Sequence, residues 1–328
     1  MSRTRHILRH TLFLSSFLIL LILPACGGTS TQSRTAPTPT ATITATSDLF
    51  PPRYNTQLRG DVAYGSARLE TLDLCQPVGA PTPLPGLVLI HGGSSTVGDK
   101  RAEFDVQGDT LLDLCMGLAS QGFVVASINY RLAHADPWPA QVEDAQLAVR
   151  WLRAHKDDLH VDGRRLCSAG LSSGAYLAVF LGALTKTLPG DRATELADQS
   201  SQTSCVADFY GPVDLAAWYA STPESQPEIR DLLHQATPQS DPTLYRTASP
   251  LYAITAASAP MVIVQGTNDT TVPEAQSRAL QQALRQRRVD AQYISYPGEH
   301  VFAGLGSDQV RAILRQVLAF IELRRGNP

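Results

Sequence analysis

Gly170-Leu171-Ser172-Ser173-Gly174 sets a serine hydroxyl between two glycines, where a strand-like run (Arg165 to Ala169) meets a helix-like run (Ala175 to Leu181). A serine on a sharp strand-to-helix turn holds its hydroxyl clear of the backbone, and small flanking residues make that turn sterically possible. A neutral hydroxyl is a poor nucleophile. It needs a histidine to take its proton and a carboxylate to orient the imidazole. Of the eight histidines, His6 and His10 lie in an apolar leader, His155 and His160 near a helix end, and His134 and His234 in polar, loop-like surroundings. His91 precedes a glycine pair and reads as structural. His300 follows a strand and the loop Pro297-Gly298-Glu299 near the end of the chain, where the order Ser, Asp, His places the base. Asp269 follows the apolar run Met261 to Val264 and the turn Gln265-Gly266-Thr267-Asn268, the position of an orienting acid. Glu299 adjoins His300 and cannot easily reach its Nδ1. Asp214 reads as the cap of the next segment, and Asp144, inside a helix, as structural.

Acyl transfer also requires donors for a developing oxyanion. The backbone N–H of Ser173 is one. The second is expected from Gly92 or Gly93, in the loop His91-Gly92-Gly93-Ser94 after the run Leu87 to Ile90.

These residues must be positioned by regular elements, and the chain supplies them in alternation. Leu69 to Leu74 alternates apolar and polar residues, as a half-buried strand does. Gly86 to Ile90, Phe123 to Ile128, Arg165 to Ala169, Cys205 to Tyr210, Met261 to Val264 and Gln292 to Ser295 read as further strands. Helical spacing covers Thr110 to Ser120, Ala140 to His155, the residues after Ser173, Pro273 to Arg287 and Asp308 to Arg324. Such alternation predicts an α/β fold: a mostly parallel sheet with helices on both faces and its site at the carboxyl ends of the strands.

Of 328 residues, 43% are hydrophobic and 17% charged, with a formal net charge of −3, so a large core is available and nucleic-acid binding is not expected. Arg3, Arg5 and Arg9 precede a short apolar run, Thr11 to Leu23, which ends in Leu23-Pro24-Ala25-Cys26. This is a signal peptide over residues 1–26 that resembles a bacterial lipobox, with Cys26 lipidated and a membrane as partner through that anchor. Residues 27–48 are rich in Gly, Thr, Ser, Ala and Pro and read as a disordered tether. The catalytic domain then spans residues 49–328, outside the cytoplasm. The four remaining cysteines, Cys75, Cys115, Cys167 and Cys205, permit two disulfides in an exported protein. Cys167 and Cys205 lie on strands expected to be neighbours and pair first, which leaves Cys75 with Cys115.

These motifs together resemble the α/β-hydrolase superfamily of esterases and lipases, and within it carboxylesterases of the BD-FAE and acetyl-esterase type. The resemblance runs from about Asp61 to the end. It rests on His91-Gly92-Gly93 with Gly98-Asp99-Lys100, Asn129-Tyr130-Arg131-Leu132, Pro139 to Asp144 leading to Ala148 to Leu152, Tyr210-Gly211-Pro212 with Asp214, Ser249-Pro250, and Gly266 to Asp269 with Val272-Pro273. It implies Ser172 as nucleophile, Asp269 as acid and His300 as base, acting on a small-molecule ester with neither metal nor organic cofactor. Two positions depart from the family pattern: Ser94 stands where a third glycine is usual, and Val301 where a small residue follows the histidine. Residues 216–259 are expected to form a small lid, with Trp218 and Tyr219 lining the substrate pocket, and so small a lid suits short-chain acyl or aryl esters. The alternatives are an exopeptidase or amidase using the same triad, or a non-catalytic binding lipoprotein on the same scaffold.

Overall fold

Eight strands of the computed structural model join in one sheet, in the order β1-β2-β4-β3-β5-β6-β7-β8. The structure describes residues 49–105, 108–188, 190 and 192–324; the leader, Cys26 and the tether lie outside the described residues. The strands are β1 (Thr56–Ala63), β2 (Thr71–Pro77), β3 (Leu84–Ile90), β4 (Val124–Ile128), β5 (Val161–Leu171), β6 (Cys205–Phe209), β7 (Met261–Gly266) and β8 (Ala291–Tyr296). β1 and β2 pair antiparallel, as do β2 and β4, and every other pairing is parallel. This is the mostly parallel α/β sheet that the alternation predicted, in the α/β-hydrolase arrangement that the resemblance implied. β1 was not predicted. It is an edge strand whose residues are mostly half-buried or exposed, so it carries no apolar alternation.

The central parallel strands β3, β4, β6 and β7 read as largely apolar runs because both of their faces are covered, whereas β8, at the sheet edge, is only partly buried. Val88, Ile90, Val206, Met261 and Ile263 face one core, which they share with α2 (Ala140–Ala154), α3 (Ser173–Ala183) and α7 (Glu274–Gln286). Leu87, Leu89, Ala207, Val262 and Val264 face the other, with α1 (Leu111–Ser120) and α8 (Ser307–Arg324). α1 begins at a capping box, where Thr110 and Asp113 each satisfy the other's backbone N–H. Every residue of α3 is buried, which explains why its sequence is apolar all round.

Both disulfides are present. Cys167 and Cys205 are register partners on β5 and β6, with Cα atoms 4.7 Å apart, and Cys75 joins β2 to Cys115 of α1. Residues between β6 and β7 form α4 (Leu215–Ser221), α5 (Gln226–Leu232) and α6 (Pro242–Thr247), with one 3₁₀ turn between α4 and α5 and another after α6. Asp214 caps α4 through the Ala217 N–H, as expected.

Candidate active site

Ser172 sits between the end of β5 and the first turn of α3, at φ 54° and ψ −120°. Its N–H donates to the Phe209 carbonyl at 2.9 Å, which fastens the turn to the end of β6. The flanking glycines are required by close approach. A Cβ on Gly170 would stand 2.1 Å from the Gly174 carbonyl oxygen, and one on Gly174 would stand 2.2 Å from that of Ile90. The turn therefore closes only with hydrogen at both positions. It leaves the Ser173 N–H at the start of α3, where no intrahelical acceptor exists and the helix dipole is positive.

The loop after β3 lies against this turn: a Cβ on Gly92 would stand 2.9 Å from the Leu171 carbonyl oxygen and 3.3 Å from Ser172 Cβ. Gly93 has φ +107°. His91 holds the loop from beneath. Its buried ring stacks on Tyr130 at 4.3 Å, and the Tyr130 hydroxyl donates to the His91 carbonyl at 3.1 Å. Burial pushes the His91 pKa down to about 4, so the ring is neutral near pH 7. Its Nδ1, 2.7 Å from the Gly92 carbonyl, must then carry the proton and donate it there. His91 is thus structural, as expected. The Asn129-Tyr130-Arg131 motif fastens three parts at once. Asn129 accepts from the Lys100 N–H, Tyr130 holds His91, and Arg131 grips Asp144 of α2 through its backbone N–H and its guanidinium.

His300 Nε2 lies 3.0 Å from Ser172 Oγ, and His300 Nδ1 lies 2.7 Å from Asp269 Oδ2. The carboxylate only accepts, so Nδ1 carries the imidazole proton and Nε2 presents a lone pair to the serine O–H. Asp269 is fixed by its other oxygen: Oδ1 accepts from the Thr271 and Val272 N–H groups at 2.9 and 2.8 Å. The buried Gln265 amide adds a donor to Oδ2 at 3.1 Å, a contact that no sequence motif marks. Tyr210 packs its ring 4.6 Å from that of His300. Glu299 turns away and accepts from the Thr270 hydroxyl at 3.3 Å.

A cavity of about 290 Å³ opens over Ser172 and His300. Gly92, Gly93 and Ser94 line one side, and Ala102, Phe104, Leu111, Leu171 and Tyr210 give it an apolar wall. This corrects the expected pocket: no residue of 216–259 lines the cavity. Tyr219 packs edge-on against Tyr245 at 5.9 Å. Trp218 is buried and donates its indole N–H to the Thr271 carbonyl at 2.8 Å, so it braces the loop that carries Asp269. It lines a separate, narrow space of about 10 Å³ beside Ser173. The segment is held to the sheet by Ile229, Leu232, Leu233 and Tyr245, all in the core, and the cavity wall comes instead from the loop between β3 and α1. Among the described residues no group of three His, Cys, Asp or Glu could hold a metal ion.

A family profile described as BD-FAE matches residues 72–284. Esterase LipC of Mycobacterium tuberculosis is 32% identical over 257 residues, covering 76% of this chain and 60% of the relative. Esterase LipQ of the same organism is 30% identical over 254 residues, covering 76% and 58%. The chain thus spans about three fifths of the length of these curated relatives. Among solved structures, a truncated carbohydrate esterase from gut microbiota superposes with a TM-score of 0.66 at 26% identity, over 81% of this chain and 97% of that one. A thermophilic esterase of Thermogutta terrifontis gives 0.63 at 23% identity, over 84% and 95%, a likeness of fold.

Proposed function

The chain belongs to the BD-FAE family, and from that premise we propose that it is a carboxylic ester hydrolase working through a serine acyl-enzyme. The observation that carries this reading is the unbroken line from Ser172 Oγ through His300 to Asp269 at the floor of an apolar cavity. In it, His300 Nε2 takes the Ser172 proton as Oγ attacks the ester carbonyl. The backbone N–H of Ser173, with that of Gly92 or Gly93, holds the oxyanion, and the imidazolium then protonates the leaving alcohol. Water resolves the acyl-enzyme by the reverse path. The esterase names of the relatives and neighbours support the same reaction class.

The cavity, at the small end of the ~300–1,000 Å³ range of ligand pockets, supports short-chain acyl or aryl esters. Two disulfides support an oxidising location, and with the leader they favour export and a lipid anchor at Cys26. A fluorophosphonate probe tests the mechanism: the chain is labelled and Ser172→Ala is not. Equal labelling of both ends the proposal. Globomycin-sensitive processing and loss of membrane retention in Cys26→Ala test the anchor.

A further inference from the structure

We infer that Gln265, held in place by Ser277, is a positioning residue that keeps the Asp269 carboxylate aimed at His300. The inference deepens the serine-hydrolase reading and rests on it. Gln265 is the fifth residue of β7 and is fully buried. Three acceptors surround its Nε2: Asp269 Oδ2 at 3.1 Å, the Val272 carbonyl at 3.1 Å and the Gly266 carbonyl at 3.2 Å. Its Oε1 accepts from the Ser277 hydroxyl of α7 at 2.7 Å. The alternative amide orientation would put Oε1 against three oxygens, so only one orientation is compatible with this pocket.

The consequence is geometric. Asp269 Oδ1 is tied by the two N–H groups of its own turn, which leaves the carboxylate free to pivot about that oxygen. The Gln265 N–H closes that pivot by adding a second donor to Oδ2 beside the imidazole N–H. The Gly266 and Val272 carbonyls bracket the Asp269 turn in sequence, so a single amide also pins the backbone at both ends of the loop. Ser277 couples that amide to the first turns of α7, where Gln276 Oε1 accepts from the Val213 and Asp214 N–H groups at 2.9 and 2.8 Å. The acid loop, β7, α7 and the segment after β6 are thereby joined through side chains that never touch the cavity.

The test is a double-mutant cycle on the full domain, with a short nitrophenyl ester as substrate. Gln265→Met keeps the volume and removes the donor. It is expected to lower kcat by about 10- to 100-fold, the scale of a misplaced catalytic group, with KM changed less than about threefold. In the Asp269→Ala background the same change should cost less than about twofold, because nothing remains to be aimed. Ser277→Ala, which leaves the amide in place but unheld, should lower kcat a few-fold in the same direction. A kcat for Gln265→Met within twofold of the parent overturns the inference. So does an equal loss with and without Asp269, which would mark a role in folding alone. If Gln265→Met does not fold, Ser277→Ala decides: an unchanged kcat overturns the inference. Labelling of the parent by fluorophosphonate separates these outcomes, since a parent that is not labelled defeats the serine-hydrolase reading itself.

Discussion

Asp269→Asn changes one atom, and the structure states what that atom does. All four contacts of the carboxylate are made to donors: Thr271 and Val272 N–H at Oδ1, and Gln265 Nε2 and His300 Nδ1 at Oδ2. An amide at this position has one acceptor oxygen and one NH₂ group. The oxygen must face the two backbone N–H groups, because they cannot turn away and the side chain is buried from water. The NH₂ group then faces His300 and Gln265. Gln265 cannot rotate its amide to relieve the contact, since its oxygen would meet the Gly266 and Val272 carbonyls. His300 can respond only by giving up the proton on Nδ1 and carrying it on Nε2. In that tautomer Nε2 donates towards Ser172 Oγ and has no lone pair with which to take its proton. The expected loss is about 10⁴-fold in kcat, or about 5 kcal/mol of transition-state stabilisation. The two opposed amides add about 1–3 kcal/mol of destabilisation, so the variant still folds. Steady-state hydrolysis of a nitrophenyl acetate at pH 7–8, with thermal melts to establish folding, gives the answer. A folded variant that keeps more than about a tenth of the parent kcat would refute both the tautomer argument and the role of Asp269.

Three further expectations follow from the same geometry. Phe104→Ala opens the apolar wall of the cavity, so the optimum in a nitrophenyl ester series should move to longer acyl chains, while Tyr219→Phe leaves it in place; the reverse pattern would return the pocket to the helical segment. Val301, β-branched at φ 50°, is a candidate for relief: Val301→Asn should raise stability by roughly 1 kcal/mol, or about 2 °C in Tm, and a lower Tm would count against strain there. Buried Asp208 accepts the Gly211 N–H through Oδ1, its Oδ2 has no partner among the described residues, and burial pushes its pKa up to about 7. Its folded pKa lies above the unfolded value, so the folded state holds a proton that the unfolded chain releases, and stability is lost as pH rises from about 4 to about 7. Asp208→Asn should flatten urea midpoints over that window; superimposable pH dependences would remove Asp208 as the cause.

What could be read from the sequence follows burial. The parallel strands lie between two helical layers, so β3, β5, β6 and β7 announce themselves as apolar runs. Ser172 and Asp269 were legible because each follows such a run, and His300 because it follows the half-buried β8 in the order Ser, Asp, His. The disulfides followed as well, since neighbouring strands bring Cys167 opposite Cys205. β1 was not legible, because an edge strand need bury neither face fully. The cavity wall was also missed. Ala102, Phe104 and Leu111 belong to an irregular loop and a helix start, and no period shows that they converge over Ser172. Trp218 reads in the sequence as a pocket residue, but its place in the chain says nothing of the direction in which its ring points. Its indole N–H marks the Thr271 carbonyl as its target, a pairing across 53 residues that only the fold supplies. Gln265 escaped for a similar reason: a glutamine in an apolar strand is conspicuous, yet its meaning depends on three acceptors brought to it by a turn.

The two departures from the family pattern acquire a physical meaning once the backbone is known. Ser94 has φ 54° and Val301 has φ 50°, the left-handed region that favours glycine. The small residues of the pattern therefore mark a backbone requirement, and this chain keeps the backbone while placing side chains on it. Ser172 and Tyr210 also have positive φ, 54° and 49°, although Ser172 at ψ −120° lies outside the left-handed helical region, so four non-glycine residues that line one cavity are held at a disfavoured φ. At about 1–2 kcal/mol each, such strain persists only where the surroundings over-determine it. Here they do: the Ser172 N–H is bound by Phe209, the Tyr210 N–H by Val264, and the buried Tyr210 ring is wedged between His300 and Phe302. The sheet's carboxyl ends supply those fixed carbonyls. The four positions therefore meet around Ser172, where β5, the end of β6, the loop after β3 and the turn that carries His300 converge.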